Sequence, residues 1–509
     1  MPSNANFPVR TVGVIGTGAM GRGIAQIAAL AGLNVLLFDT AEGAAARAKD
    51  ALNDMFDVLL AKKKITSEAA AHAKQILVVV DSLSAFSDSD VIVEAIVEKL
   101  EVKQSLFREL ESLLKPHAVL ATNTSSLSVT AIASVCERPE RVAGFHFFNP
   151  VPLMKVVEVV AGLRTASDVL GILDGLARRI GHTPVHTKDS PGFIVNHAGR
   201  GFGTEALKML GEGVGSAADI DATLRDVAEF RLGPFELFDL TGLDVSVPVM
   251  ESVYRQYFEE PRYRPSPLAA LRRVAGLLGR KTGEGFYKYP DGRQSVHVHP
   301  LAPSERPRSV WVSQDHAIFG ERTSELVRSL GAELDIGERP HASSLCIVTP
   351  LGDDVTHCLS RQKLDPQRVV GLDCLVPTQR RRVIFLNPLT AEGARREAHG
   401  LFASDGTPVT LLRDSVGLAS QRVLATIVNI ACDMAQQAIA SPDDIDRAVT
   451  LGLGYPNGPL AWGDKLGGAV LLQILENMLL LTGDPRYRPS PWLRRRAELG
   501  VSLLQSDAF

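Results

Sequence analysis

Five cysteines in 509 residues, with no CxxC pair and no cysteine at metal-ligand spacing from a histidine, give neither a disulfide framework nor a zinc site. Cys136, Cys346, Cys358, Cys374 and Cys432 are scattered and odd in number, which points to a reducing compartment. Long apolar runs are missing as well: nothing approaches the ~18 residues of a membrane-spanning helix, and the start, MPSNANFPVR, has no apolar signal core. A cytoplasmic protein is expected. Basic excess is also absent, since the formal charge is −4. That argues against a polyanion-binding surface, so neither nucleic acid nor a membrane is an expected partner. His297 and His299 form an HVH pair in the proline-rich stretch 290–309, but two histidines without a third ligand make no metal site. What remains is ordinary for a globular chain, 45% hydrophobic and 22% charged. The length suits about three to four domains of ~100–200 residues.

What the chain does have is a second copy of itself. PRYRPSP occurs at 261–267 and again at 485–491. Gly233, Pro234, Asp239 and Gly242 answer Gly458, Pro459, Asp464 and Gly467. Asp189, Ser190 and Gly192 likewise answer Asp414, Ser415 and Gly417, while RVAGFHFFNP at Arg141 answers RVVGLDCLVP at Arg368. An ordered set of shared positions on this scale reads as tandem duplication. It also supplies an internal control. A residue kept in one copy and lost from the other is not required for folding alone.

Residues 11–39, TVGVIGTGAMGRGIAQIAALAGLNVLLFD, read as a strand, a glycine-rich turn, an apolar helix and a second strand ending in an acid. Gly16 allows the tight turn, Gly18 lets backbone approach a pyrophosphate, and Gly21 lets the helix pack on the strand. Ala19 and Met20 begin the helix, whose free N–H groups suit phosphate. Asp39 would accept hydrogen bonds from ribose hydroxyls and repel a 2′-phosphate, favouring NAD over NADP. The corresponding stretch of the second copy, SVWVSQDHAIFGER, has lost the turn glycines.

Further strands are expected at 76–80, 90–96, 118–125 and in RVAGFHFF, alternating with helical segments such as 101–114. That alternation predicts a parallel, doubly wound sheet with ligands at the carboxyl ends of its strands. Glu98, Asn123, Ser125 and His146 would then lie near one edge with the glycine turn. Glu158, in KVVEVV, is flanked by valines and should point inward, where it needs a partner. His146 is the obvious one, and the pair would make a general base supported by a carboxylate. The alternative is a core histidine satisfied by a carbonyl. The duplicate decides between them. At the same offset His146 becomes Asp373, Glu158 becomes Phe385, Asn149 becomes Val376 and Ser125 becomes Gly352, while Arg, Val, Gly and Pro of the motif stay.

The motifs GTGAMG, VEAIVE, NTSSLS, HFFNPVPLMKVVEVV, KDSPGFIVN and GRKTGEGFYKY, in that order over 11–289, together resemble the L-3-hydroxyacyl-CoA dehydrogenases. With its duplicate, the chain looks like the long bacterial form linked to phenylacetate degradation. The resemblance implies an α/β Rossmann-type nucleotide domain (7–190) and an all-α domain like that of 6-phosphogluconate dehydrogenase (191–295). A degenerate copy of each would follow, at 305–411 and 412–509. It implies NAD as cofactor and an acyl-CoA thioester as substrate, held in a cleft between the two domains. His146 would take the proton of the C3 hydroxyl, Glu158 would hold the imidazole, and Ser125 and Asn196 would hydrogen-bond substrate oxygens. Glu98, Lys103, Asn149 and Lys281 match positions that contact the dinucleotide, and Asn123 is placed with them as cofactor-binding. Lys62, Lys63 and Lys64 are candidates for the CoA phosphates, Lys62 first, although lysines closing a helix also serve as a solvated last turn. A distal carboxylate on the acyl chain would call for an arginine, with Arg200, Arg225 and Arg231 as candidates. Short relatives dimerise through their helical domains, so the second copy would be a built-in partner, and a further homo-oligomer stays open. Two rival readings are a non-catalytic NAD- or CoA-binding protein and a dehydrogenase of free β-hydroxy acids.

Overall fold

The structure is a computed structural model that describes residues 9–295 and 301–508, so Phe7 and the HVH pair lie outside it. The chain forms two compact units, one of residues up to His197 together with Gln437–Leu453, the other of Ala198–Gln436 with Gly454 onward.

The first unit is built on eight strands: β1 (Thr11–Ile15), β2 (Asn34–Phe38), β3 (Leu77–Val79), β4 (Val91–Glu94), β5 (Val119–Thr122), β6 (Val142–Phe147), β7 (Val156–Ala161) and β8 (Thr183–Lys188). Their order in the sheet is β3-β2-β1-β4-β5-β6-β7-β8. Near-continuous apolar runs such as VIVE and VLAT, buried at every position, are what a sheet covered on both faces demands. All neighbours are parallel except β6 and β7, which run antiparallel. The order turns back between β1 and β4, so the crevice for a dinucleotide opens beyond their carboxyl ends. β8, whose TPVHTK sequence gives no strand signal of its own, forms the edge.

At that edge the division into compact units differs from the expected domain boundaries. The helix Pro442–Leu453, from the second copy, lies in the first unit on β7 and β8. The Lys188 amide donates to Ile439 O at 2.8 Å.

The second unit contains most of both helical domains and a smaller sheet: β9 (Val310–Val312), β10 (Leu334–Asp335), β11 (Leu345–Val348), β12 (Val369–Leu372), β13 (Arg382–Leu386) and β14 (Val409–Arg413). Its order is β10-β9-β11-β12-β13-β14, with β13 antiparallel to β12 as β7 is to β6. The sheet edge repeats too. Arg413 N donates to Val214 O at 2.8 Å, and the helix Ala217–Val227 of the first copy covers β14. Each copy thus closes the other's sheet.

The two helical domains meet along Arg200–Gly211 and Ser420–Gln436, close enough that a Cβ on Gly201 would stand 3.1 Å from Ile427 N. The fully buried Glu205 sits at this contact. Its oxygens accept from Arg486 Nη1 (2.7 Å), Arg422 Nε (2.9 Å) and the Tyr487 hydroxyl (3.0 Å). Burial alone would raise its carboxyl, but the two guanidiniums win and lower it to about 2. The repeated heptapeptide explains itself here. Arg262 donates to Arg488 O (2.8 Å) and Arg486 to Arg264 O (3.1 Å), each motif holding the backbone of the other.

Candidate active site

Each turn glycine meets the physical test set by its position. Gly16 has φ of +91°, and a Cβ there would lie 2.5 Å from Ala95 O. A Cβ on Gly21 would collide with Gly16 O. A Cβ on Gly18, by contrast, would meet nothing within 4 Å. The open space is on the side where a pyrophosphate would approach, and no side chain caps the helix Ala19–Leu30 behind it. The residues present fit NAD. Asp39 follows β2 and clips the turn, accepting from Thr17 N (2.7 Å) and Thr17 Oγ1 (2.8 Å) through one oxygen and from Ala41 N (3.0 Å) through the other. Burial pushes its carboxyl up, but these donors and the charge of Arg47 outweigh it and hold Asp39 below the usual range.

His146 and Glu158 stand directly opposite each other on antiparallel β6 and β7. The separation of twelve residues in sequence is therefore a cross-strand pair. His146 Nδ1 lies 2.5 Å from Glu158 Oε2. The other carboxylate oxygen accepts from Ile194 N (2.9 Å) and Val195 N (2.8 Å), so the acid, fully buried, has a partner on both sides. The rings of Phe148 and Phe193 pack on the imidazole, 4.6 and 5.8 Å away between centroids. With Nδ1 committed to the carboxylate, the neutral ring keeps its lone pair on Nε2.

Ser125 follows β5, and Asn196 Nδ2 donates to its carbonyl at 3.4 Å. The expected four residues, His146, Glu158, Ser125 and Asn196, all fall in the first unit. Asn123 Oδ1 accepts from Phe147 N at 2.8 Å, which ties the ends of β5 and β6 together, and Asn149 is exposed just beyond. Glu98 is a hub for the loop after β5. Its Oε1 accepts from Thr124 Oγ1 (2.7 Å), Ser125 N (2.9 Å), Ser126 N (3.1 Å) and Ser126 Oγ (3.0 Å).

Lys103 is paired with two carboxylates. Its side chain is 1% exposed, with Nζ 2.5 Å from Glu94 Oε1 and 3.3 Å from Glu98 Oε2. Glu94 was missed from sequence. A carboxylate ending an apolar strand, DVIVE, carries the same signal that singled out Glu158. Lys281 belongs to the second unit and pairs with Asp244 at 2.5 Å. Lys62 is exposed where the helix Ala44–Ala61 ends, with Lys63 and Lys64 after it. Among the arginines, Arg225 is taken by Glu236 at 2.7 Å. Burial pulls Arg200 down to about 10, partly offset by the Tyr455 phenol, and Arg231 is exposed.

In the second copy the corresponding positions make different contacts. Asp373, in the place of His146, accepts from Ser420 N (3.0 Å) and Ser420 Oγ (2.7 Å). Gln421, in the place of Asn196, bridges Pro350 O and Gly352 N, each at 2.9 Å. A Cβ on Gly352 would lie 2.4 Å from Ile474 O, so the helix Gly468–Thr482 sits where a serine side chain would reach. The polar set has not simply vanished. It has been rewired into packing.

Comparison with known proteins agrees with this architecture. The family model for the 3-hydroxyacyl-CoA dehydrogenase NAD binding domain matches residues 11–190. The model for the C-terminal domain of the same family matches twice, at 192–289 and 417–506. The chain is similar to the 3-hydroxyadipyl-CoA dehydrogenase of Escherichia coli K12, 38% identical over 96% of this chain and 98% of that protein. A crystal structure of 3-hydroxybutyryl-CoA dehydrogenase from the same organism superposes with a TM-score of 0.86 at 36% identity, covering 96% of this chain and 98% of the other. A probable 3-hydroxybutyryl-CoA dehydrogenase of Deinococcus radiodurans is 41% identical but spans only 54% of this chain while using 99% of its own length. Such relatives match about one copy.

Proposed function

We propose that this chain, which belongs to the 3-hydroxyacyl-CoA dehydrogenase family, oxidises the C3 hydroxyl of an L-3-hydroxyacyl-CoA thioester with His146 as the general base. The observation that carries the proposal is the buried cross-strand pair, His146 Nδ1 at 2.5 Å from Glu158 Oε2. Nδ1–H donates to the carboxylate, and Nε2 is left to take the substrate proton. As the imidazole becomes an imidazolium, Glu158 stabilises the new charge, and the two N–H groups on its far oxygen keep it from turning away. Ser125 and Asn196 orient the substrate oxygens, and such positioning supplies a large share of barrier reduction. NAD, held at the glycine turn and Asp39, is the two-electron acceptor of the reaction.

The relatives differ in acyl chain, hydroxyadipyl in one name and hydroxybutyryl in others. NADH formation from 3-hydroxybutyryl-CoA and 3-hydroxyadipyl-CoA tests both levels of this reading. Turnover of either thioester that disappears in His146→Gln is expected, and the kcat/KM ratio between them names the chain end. Turnover of free 3-hydroxy acids with none of the thioesters would overturn the assignment.

The second copy, in this proposal, is a permanent partner fused into the chain, present at high effective concentration. The reciprocal heptapeptide contacts and the mutual closure of the two sheets support it.

A further inference from the structure

In the first copy the loop after β6 packs directly on the helix behind the glycine turn. A Cβ on Gly23 would stand 2.7 Å from Val151 Cβ. The second copy's counterpart of that helix is Ala317–Ser329. The two helices end alike, before the left-handed glycines Gly32 and Gly331, whose amides donate to Ala29 O and Arg328 O. Counting back from those glycines puts Arg322 in the place of Gly23. No side chain fits there while loop and helix stay in contact, and the second copy has parted them. An open cavity of about 510 Å³ lies between the helix Ala317–Ser329 and the loop 374–379. A smaller one of about 330 Å³ adjoins it and shares Arg322, Val376, Pro377 and Gln379. Its whole lining belongs to the second unit. The floor is apolar, with Trp462, Val227, Leu375 and Val376 all buried. The rim is basic, with Arg322, Arg380 and Lys465 exposed. Lys465 is a second divergence, since it answers Leu240 in the register set by Gly242 and Gly467.

The acids on this wall are already engaged. Glu229 pairs with Arg380 at 3.1 Å and Asp226 with Arg381 at 2.8 Å, while Glu325 lines only the larger cavity. Among the described residues, Arg322 and Lys465 form no ion pair. A glycine and a leucine of the first copy have thus become two uncompensated cations above an apolar floor. We propose that the smaller cavity binds a carboxylate that carries an apolar chain or ring. The carboxylate meets Arg322, whose planar fork suits two parallel hydrogen bonds, and Lys465. The apolar body lies on Trp462, Leu375 and Val376. The volume falls at the lower end of the ~300–1,000 Å³ of small-molecule sites, which suits a ligand of modest size. A bare phosphate would use the same cations and leave the floor wet. The site owes nothing to His146 or Glu158, and it gives the second copy a ligand of its own.

Calorimetric titration of the full-length protein tests it, with hexanoate and benzoate as the chain and ring probes. Inorganic phosphate supplies the charge without the body, and hexanol the body without the charge. Saturable binding of at least one carboxylate is expected, with both controls far weaker. Arg322→Gln and Lys465→Leu, each at an exposed position, should weaken that binding by roughly 10-fold, the scale of one charge-assisted hydrogen bond. Their thermal midpoints should match that of the parent, so that weaker binding is not a folding defect. His146→Gln should bind the carboxylate as the parent does, which keeps this site distinct from the proposed reaction site. Failure of both carboxylates to bind would overturn the proposal. So would an affinity that neither variant changes, because the ligand would then sit elsewhere. Phosphate bound as tightly as the carboxylates would reduce the site to a basic patch and overturn it too.

Discussion

One oxygen of Glu158 receives Nδ1 of His146 and the other receives the amides of Ile194 and Val195. In the second copy the strand residue answering Glu158 is Phe385, yet Asp373, one strand away, accepts from Ser420 N, the amide that answers Val195. The backbone at this turn therefore needs a carboxylate whether or not a reaction takes place. In the proposed mechanism Glu158 is lost from the duplicate with the chemistry, while the structural half of its work is handed to another residue. The two halves separate by substitution. In Glu158→Gln the amide oxygen must stay on the two N–H donors, so the NH2 group faces His146 Nδ1 and forces the ring proton onto Nε2. That tautomer cannot accept a proton from substrate, and a wrong tautomer imposed on a catalytic histidine costs ~10⁴-fold. We expect kcat to fall by about 10³–10⁴ with the thermal midpoint little changed. Glu158→Ala, which strands two buried amides at ~1–3 kcal/mol each, should lower the midpoint by several degrees as well. Steady-state rates beside thermal melts check both, and a Gln variant of normal rate would leave Glu158 with a structural role only.

At the scale of elements, the glycine turn and the His–Glu pair were legible because each obeys a local rule. Gly16 and Gly21 lack space for a Cβ, and a period-two strand puts an inward acid opposite an inward histidine. The pairing of Lys103, on the helix Leu100–Leu113, with Glu94 and Glu98 was not legible, because only the sheet beneath the helix brings the two carboxylates to it. The exchanged helix Pro442–Leu453 was illegible for a related reason. Apolar periodicity tells which face of a helix is buried, and says nothing of which sheet lies under it. That helix ends with Gly452 against Val195, where an added Cβ would stand 2.9 Å from a valine methyl. Val195 in turn donates to Glu158. Gly452→Leu therefore should push the Ile194–Val195 segment off the carboxylate and cut kcat by about 10-fold. NAD affinity, measured by titration, should stay as it was. A residue of the second copy would then control the rate at the candidate site of the first. Unchanged kcat with a stably folded variant would show that the contact only fills space.

On the scale of the whole molecule, the two copies meet through their helical domains within one chain, and the residues at that contact have diverged between the copies. Glu205 is held by Arg486, Tyr487 and Arg422. The first copy's own residues at those three places are Arg262, Tyr263 and His197. Two first copies brought together as separate chains could rebuild the arginine and tyrosine contacts to Glu205, but a histidine would stand where Arg422 now gives the second guanidinium. A buried carboxylate that loses one of two cations is strongly penalised, by ~3–5 kcal/mol where such pairs have been broken. The sheet edge at β8 would also have to find a helix from the other chain, and Lys188 N an acceptor in place of Ile439 O. A fragment ending near residue 295 should accordingly dimerise weakly, with activity that rises with concentration as the dimer forms, or else aggregate through its uncovered helix face. Sedimentation across a dilution series, paired with specific activity at each concentration, checks this directly. A fragment that stays monomeric and works as fast as the full chain would mean that the second copy is not a partner at all.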